Sequence, residues 1–285
     1  MKVAVLILAH KNLHQLELLI DSLRSDFDIY VHADKKWNIP INELNSKYGN
    51  VHFFSKYDVS WGSSNIMLAT IELLKAAYQK QHDYFIFISG QDLPIRTNEN
   101  IMKVLTNLNG ASLIKYQKLP RAKWDLSGGF DRMYYYWEHD FNSPIAKFAM
   151  KVVRKFQRIF GLKRKLYPMP AYYGHSMWLT LHNDAVKYVL EFLEKNPGYV
   201  KRMKYTTLID EIWLGTIVLN SPVKVINDQS THVNWTDGPE YPRTLRGGDY
   251  EPIIEVFRNT NCLFARKFDE KVDSNIIQTF LNNRI

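Results

Sequence analysis

Apolar and polar positions fall in alternating blocks along the first third of this chain. Val3–Ala9 is a continuous apolar run closed by polar residues, the pattern of a strand buried on both faces of a parallel sheet. Leu13, Leu16, Leu19, Ile20 and Leu23 then place a helical stripe over residues 13–24. Phe27–His32 reads as a second strand and Val51–Phe54 as a short third. Ile66–Tyr78 carries the stripe of an amphipathic helix, with Ser63 or Ser64 available as its N-cap. Tyr84–Ser89 is another buried strand and stops at Gly90-Gln91-Asp92-Leu93-Pro94. A helix at Asn98–Leu108 and a strand at Ser112–Tyr116 follow. Strands alternating with helices predict an α/β fold with a mostly parallel central sheet.

The pattern then changes. Residues 117–144 lack periodicity and are rich in Tyr, Trp and charge. Ile145, Phe148, Ala149, Val152, Phe156, Ile159 and Phe160 recur at helical spacing. Asn183–Lys195 is a further helix, closed by Asn196-Pro197-Gly198. Leu208–Leu219 is expected to be one helix, entered through Asp210-Glu211, and Pro239–Pro252 to be loop. No repeat, low-complexity tract or linker interrupts the chain, so a single domain over 1–285 is the simplest organisation.

Composition narrows the function classes. With 285 residues, 46% of them hydrophobic, there is material for a large core. Cys262 is the single cysteine, which excludes an internal disulfide scaffold and a thiolate zinc site. The net charge of +8 is local: Lys147, Lys151, Arg154, Lys155, Arg158, Lys163, Arg164 and Lys165 lie in one segment without an acid. The remaining 29 basic residues balance the 29 acidic ones, which argues for one basic contact surface and against a nucleic-acid coat. No run approaches the roughly 20 apolar residues that span a bilayer. Val3–Ala9 is short enough for a signal peptide, but His10-Lys11-Asn12 stands where a small-residue cleavage site belongs. It is therefore read as a strand, and no export signal is expected.

Candidate chemistry follows from the strand ends. In open parallel sheets, ligands sit at the carboxyl ends of the strands. That rule singles out His10-Lys11-Asn12, Asp34-Lys35-Lys36 and Gln91-Asp92. His10 and His14 have i, i+4 spacing, but the first ends a strand, the second starts a helix, and no third ligand is apparent. There is no GxGxxG, GxxxxGK[ST] or GxSxG motif, so a phosphate cradle or serine nucleophile of those types has no support. Asp210-Glu211 opens an otherwise apolar segment. Two readings stand there: charge complementing a helix dipole, or a partly desolvated general base with a raised pKa. Arg266-Lys267 sits within Leu263–Phe268, an apolar frame. The pair is either a solvated partner of Asp269 and Glu270 or a holder for a diphosphate.

Taken together, six segments in order resemble the Core-2/I-branching enzyme family of glycosyltransferases, which includes the peptide O-xylosyltransferases. They are Val31-His32-Ala33-Asp34-Lys35, Trp61-Gly62-Ser63-Ser64, Phe87 to Thr97, Tyr173-Gly174-His175-Ser176-Met177-Trp178, Asp210-Glu211 through Pro222, and Leu263 to Phe268. The resemblance covers roughly residues 1–270 and leaves 117–170 without alignment. It implies a GT-A-like Rossmann-type fold with a mostly parallel central sheet flanked by helices, a UDP-sugar donor of N-acetylglucosamine or xylose type, and inversion at the anomeric carbon. It also implies that basic side chains replace the metal most GT-A enzymes hold on Asp-x-Asp. Gly90-Gln91-Asp92 has one acid where two are needed, and Asp26-Phe27-Asp28 precedes a strand instead of following one. No metal or other cofactor is therefore expected.

By position, the resemblance makes Glu211 the catalytic base and puts Arg266 and Lys267 at the donor diphosphate. Asp34 would recognise the nucleoside, His10 would line the nucleotide path and Asp92 would belong to the donor site. Arg246, or its neighbour Arg243, would add a phosphate contact, and Trp178 and Trp235 are candidates for stacking on sugars. Residues 1–116 would form the nucleotide-sugar half and 117–285 the acceptor and catalytic half. Animal members usually carry a membrane anchor and several disulfides, and neither is seen here. A bacterial cytoplasmic enzyme building a capsule or lipopolysaccharide-type glycan fits that difference. The acceptor would be a glycan or lipid-linked glycan. The basic segment 145–165 then either rests on the anionic inner face of the plasma membrane or packs into the core with a solvated back. A nucleic-acid-binding protein and a catalytically dead glycan-binding module are the competing classes.

Overall fold

The computed structural model describes residues 1–235, 242–258 and 260–285. Its strands are β1 (Val3–Ala9), β2 (Asp28–Ala33), β3 (Val51–Phe54), β4 (Tyr84–Ser89), β5 (Asp92–Pro94), β6 (Ser112–Leu113), β7 (Tyr116–Lys118), β8 (Tyr173–His175), β9 (Thr180–His182), β10 (Val225–Ile226), β11 (Thr231–Val233) and β12 (Phe264–Arg266). Its helices are α1 (Leu13–Leu23), α2 (Ile41–Lys47), α3 (Asn65–Tyr78), α4 (Asn98–Asn107), α5 (Asp125–Gly128), α6 (Asp131–Tyr134), α7 (Pro144–Ile159), α8 (Asn183–Lys195), α9 (Pro197–Met203), α10 (Trp213–Leu219), α11 (Tyr250–Arg258) and α12 (Ser274–Asn282).

The central sheet has the order β10-β6-β9-β4-β1-β2-β3. β1 lies between β4 and β2 and is parallel to both, and β3 continues parallel beyond β2. β9 alone reverses, running antiparallel to β4 and β6. This is the mostly parallel α/β sheet that the hydrophobic pattern predicts. The reason β1 must be apolar throughout is visible in its two faces. Val3, Val5, Ile7 and Ala9 enter one core with Leu16 and Leu19 of α1, Ile101 of α4 and Ile276 of α12. Ala4 and Leu6 enter the other with Met67 and Leu74 of α3, Val189 of α8 and Ile217 of α10. Both faces of the strand are covered, and of its residues only Leu8 is partly exposed.

A second sheet, β11-β12-β5, stands beside the carboxyl edge of the first. β12 is parallel to β11 and antiparallel to β5, with Arg266 opposite Asp92. β7 and β8 form a separate antiparallel pair.

The structure departs from the sequence reading in four places. The expected strand Ser112–Tyr116 is divided: β6 joins the central sheet and β7 leaves it to pair with β8. The expected helix Leu208–Leu219 is broken. Leu208 adopts φ 50°, Ile209–Glu211 form a 3-10 turn, and Ile212 at φ −132° precedes α10. Ser64 stands at the N-cap of α3 but its side chain does not cap the helix; its hydroxyl donates to Asp140 Oδ2 at 2.8 Å. Part of the expected loop Pro239–Pro252 lies outside the described residues. Its end is helical, because α11 begins at Tyr250 and takes Pro252 into its first turn, where no intrahelical N–H bond is lost. The α7 helix covers the residues at helical spacing, and of the two readings left open for it, packing of its apolar face into the core is not what is seen.

Candidate active site

Three strand ends open onto one edge of the central sheet. Asp34 N–H donates to Ala9 O at 2.8 Å, and Gly90 N–H donates to Leu8 O at 3.0 Å, so the loops after β1, β2 and β4 start side by side. A β-carbon at Gly90 would lie 3.1 Å from that of Ala9, which is why the smallest residue stands at this crossing. His10 lies in the middle of the cluster. Partial loss of water lowers its pKa first, Lys11 lowers it further, Asp34 opposes, and Lys267 and Arg266 lower it again. Three other candidate residues, Asp34, Arg266 and Lys267, are therefore each within electrostatic reach of His10.

Asp92 and Arg266 form the floor of this region. Asp92 is fully buried; its Oδ2 accepts from Ser89 N at 2.8 Å and its Oδ1 from Ser89 Oγ at 2.9 Å. Arg266 Nη1 faces Asp92 Oδ1 at 3.5 Å. Burial pushes the Asp92 carboxyl up and Arg266 pulls it down; burial lowers Arg266 and Asp92 opposes that. The Arg266 guanidinium also lies 4.1 Å from the centre of the Trp178 ring. So Arg266 is no solvated partner of Asp269, which pairs instead with Lys11 at 2.5 Å. Lys267 follows at the edge of this floor, where its carbonyl accepts from Leu245 N at 2.8 Å.

The acidic candidates and His14 are each engaged by protein partners. The Asp92 carboxylate is occupied by Ser89 on both oxygens and stands beside a guanidinium. Asp26 is engaged by Ser25 and Asn98, and Asp28 by His82, at the opposite end of β2. His14 pairs with Glu270 at 2.9 Å. Among the described residues, no group of three or more His, Cys, Asp or Glu side chains is placed to hold a metal.

One loop connects the strand-end cluster to Glu211. The buried Asp34 Oδ1 accepts from Lys36 N at 3.1 Å and from Val59 N at 3.2 Å. The same loop continues through Ser60, whose N–H donates to Ser63 Oγ at 3.2 Å, to Gly62, whose carbonyl accepts from Leu208 N at 3.2 Å. Leu208 begins the 3-10 turn that carries Glu211. Gly62 has φ 73° and its missing side chain leaves room for His139 and Thr207, each 3.3 Å from a built β-carbon. Asp140 fastens the assembly, accepting from Ser64 N at 2.6 Å and from Tyr205 N at 2.8 Å.

Glu211 is partly accessible, with 32% of its side chain exposed, and Arg132 Nη1 donates to its Oε2 at 2.6 Å. Arg132 in turn lies 3.8 Å from the centre of the Trp124 ring. Loss of water, reinforced by Glu211, pushes Asp210 up to about 7. Within this acidic pair the raised carboxyl belongs to Asp210, while Glu211 is held as an ion pair.

The remaining candidates are spread around the edge. Trp178 has Arg266 over its ring, so that face is not open to a sugar. Trp235 is exposed, two residues beyond Val233, the register partner of Arg266 on β11. Arg243 pairs with Asp249 at 3.2 Å, and its backbone N–H donates to Asn234 O at 3.0 Å. Arg246 Nη1 donates to Thr244 O at 2.7 Å, one residue from the Leu245–Lys267 contact. A concavity of about 370 Å³ lined by Asn109, Gly110, His182, Asp184 and Lys224 contains none of these residues.

The sequence pattern of Core-2/I-branching enzymes matches residues 3–255. This chain belongs to the Core-2/I-branching enzyme family. Xylosyltransferase 2 of Rattus norvegicus is 22% identical over 303 aligned residues, covering 97% of this chain and 33% of that protein. Xylosyltransferase 1 of Homo sapiens is 22% identical over 298, covering 96% and 29%. The chain spans about a third of the length of these relatives. Among solved structures, S. aureus TarS 1-349 in complex with UDP superposes with a TM-score of 0.37 at 15% identity, covering 99% of this chain and 71% of that one. The 2-C-methyl-D-erythritol 4-phosphate cytidylyltransferase from Thermus thermophilus gives 0.39 at 13%, covering 90% and 100%. Superpositions this loose carry no argument.

For a Core-2/I-branching enzyme, the matching segments prove to be neighbours. The Tyr173–Trp178 segment packs under α10: Tyr173 N–H donates to Thr216 Oγ1 at 3.2 Å, and a β-carbon at Gly215 would fall 2.4 Å from the His175 ring. Four contributors were not singled out in the sequence reading. Arg132 and Trp124 lie in the stretch without periodicity, where nothing in the spacing marks them. Trp61 is 76% exposed on the loop between Asp34 and Glu211, and its signal was present as part of Trp61-Gly62-Ser63-Ser64. Gln15 is fully buried and joins the loops, donating to Gly90 O at 3.2 Å and Phe268 O at 3.1 Å. A polar residue inside an apolar helical stripe was its only signal.

Proposed function

We propose that this glycosyltransferase moves a sugar of xylose or N-acetylglucosamine type from a UDP donor to a glycan or lipid-linked acceptor, with inversion and without a metal. The observation that carries the reading is the gathering of Arg266 and Lys267 with His10 and Asp34 at the carboxyl ends of β1 and β2. That is where a sheet of this kind binds a nucleotide. Asp34 takes the nucleoside. Lys267 and Arg266 face the diphosphate, and Arg246 comes near through the Leu245–Lys267 contact. The names of the curated relatives favour xylose among the donors.

The reaction needs three events. Glu211 accepts the proton of an acceptor hydroxyl. That oxygen attacks the anomeric carbon from the face opposite UDP, forming the new glycosidic bond. The bond from the anomeric carbon to the diphosphate breaks, and UDP leaves with the electron pair. Negative charge grows on the leaving diphosphate, where fixed cations are worth most in a partly dry site. The engaged state of the Asp92 carboxylate supports assigning that work to side chains instead of a metal. Glu211 is the more suitable base of its pair because Arg132 fixes its carboxylate while a third of the side chain still meets solvent.

The test is a screen of UDP-sugars for UDP release and glycan product, with the anomeric configuration of the product read by NMR. Glu211→Gln is expected to keep UDP-sugar binding and lose transfer by about 10²–10⁴-fold, the usual contribution of a positioned general base. Near-normal turnover by that variant would remove Glu211 from the mechanism, and a retained configuration would remove inversion.

A further inference from the structure

Helix α7 is attached to the protein by its polar side. Arg154 is ion-paired with Glu138 and lies 4.1 Å from the centre of the Trp137 ring. Gln157 is buried and its Oε1 accepts from Tyr136 N at 3.0 Å. The apolar side points outward. Ile145 is 81% exposed, Phe148 69%, Phe156 52% and Ile159 67%, with Val152 and Val153 between them. Amphipathic helices of water-soluble surfaces have the reverse orientation. A contiguous apolar patch of this kind marks a contact surface.

We propose that this face docks the enzyme on an anionic lipid bilayer. The charge pattern selects the occupant. At 3.6 residues per turn, Ile145, Ala149, Val152, Phe156 and Ile159 share one face, and Ala146, Met150, Arg154 and Gln157 face the protein. Lys147, Lys151, Lys155 and Arg158 fall together on the flank beside the apolar face. Apolar residues that enter the acyl boundary beside lysines at the headgroup level are the arrangement of an interfacial helix. A second copy of the chain would bring the same cations against themselves. The basic segment is divided: Arg154 and Arg164 serve the protein, Arg164 donating to Arg202 O and Lys204 O at 2.8 Å each, Arg158 lies over the Tyr135 ring and Lys163 over that of Tyr134, while Lys151, 58% exposed and 4.0 Å from Glu138, stands at the margin with the exposed Lys155. Docking also orients the proposed site. Glu138 and Asp140 lie on one short turn, so the segment that holds α7 also holds Ser64 and Tyr205 beside the Glu211 turn.

The test is co-sedimentation of the full chain with vesicles of phosphatidylcholine and of an equal phosphatidylcholine–phosphatidylglycerol mixture. Two variants accompany it: Phe148→Ser with Phe156→Ser, and Lys147→Ala with Lys151→Ala and Lys155→Ala. Circular dichroism checks that each stays folded; all five positions are outside the core. The wild type is expected to bind the mixed vesicles and leave the neutral ones. The lysine variant should bind roughly 100-fold more weakly, at about fivefold per lysine near an anionic surface. The phenylalanine variant should lose binding. Absent binding by the wild type, equal binding to neutral vesicles, or variants that bind like the wild type would each overturn the proposal. So would a solution dimer that dissociates on Phe148→Ser with Phe156→Ser and ignores vesicles. None of these readouts uses turnover, so the proposal and the glycosyl-transfer reading fail separately.

Discussion

Asp210 and Glu211 are adjacent in sequence and differ in environment. Arg132 donates a short ion-pair hydrogen bond to Glu211, whereas Asp210 loses water and faces the charge of Glu211. The consequence for stability has a definite sign. An unfolded aspartate titrates near its ordinary value of 3.8, and in the fold Asp210 titrates at about 7. Between those values the native state binds the proton that the unfolded state has released, so stability falls as pH rises from about 4 to about 7. Above that the cost is constant. Asp210→Asn removes the titration. Its melting temperature should match the wild type near pH 4, exceed it progressively up to about pH 7, and hold that lead at higher pH. A difference independent of pH, measured by scanning calorimetry, would show that Asp210 is not perturbed in the fold.

At the scale of elements, the site depends on how α10 and its preceding turn seat against β8. Gly215 is the contact: an added β-carbon would meet the His175 ring at 2.4 Å, with the next ring atom at 2.8 Å. His175 cannot yield easily, because its ring is buried and Nδ1 is bonded to Ser176 O at 2.8 Å. Gly215→Ala is therefore expected to cost about 1–3 kcal/mol, the usual penalty of overpacking, and to slow transfer by displacing the Glu211 turn. Unchanged stability in denaturant titration would mean that α10 moves freely. This contact also shows what the sequence could and could not disclose. The strands β1, β2 and β4 and the helices α1, α3, α4 and α8 were legible because one residue type repeats at the period of the element. The break at Leu208–Ile212 was not, since the same apolar residues satisfy a continuous helix, and only the contact with Gly62 shows where the chain turns. Short strands such as β5, β11 and β12 leave no periodic trace, so the pairing of Asp92 with Arg266 was visible only as two separate motifs. The apolar stripe of α7 was legible, but its outward direction was not, because a stripe at helical spacing is the same whether it faces a core or a bilayer.

Over the whole molecule, the central sheet supplies the strand ends, the small sheet β11-β12-β5 brings Arg266 and Lys267 to them, and the loop after β3, bonded to Asp34 through Val59 and to Leu208 through Gly62, carries the link to Glu211. The aromatic region without periodicity holds Arg132 on one side and α7 on the other. No helix among the described residues is long and apolar enough to cross a membrane, so a bilayer contact through α7 would be a surface one. The central claim is that fixed cations of this chain replace a metal at a nucleotide diphosphate. The most direct measurement is calorimetric titration of UDP into the wild type and Lys267→Ala, each in EDTA. The account predicts that UDP binds the wild type despite the chelator and binds Lys267→Ala about 10- to 100-fold more weakly, the range of a lost charged hydrogen bond. Binding that vanishes in EDTA and returns with a divalent cation, or equal affinity in the two proteins, would contradict it.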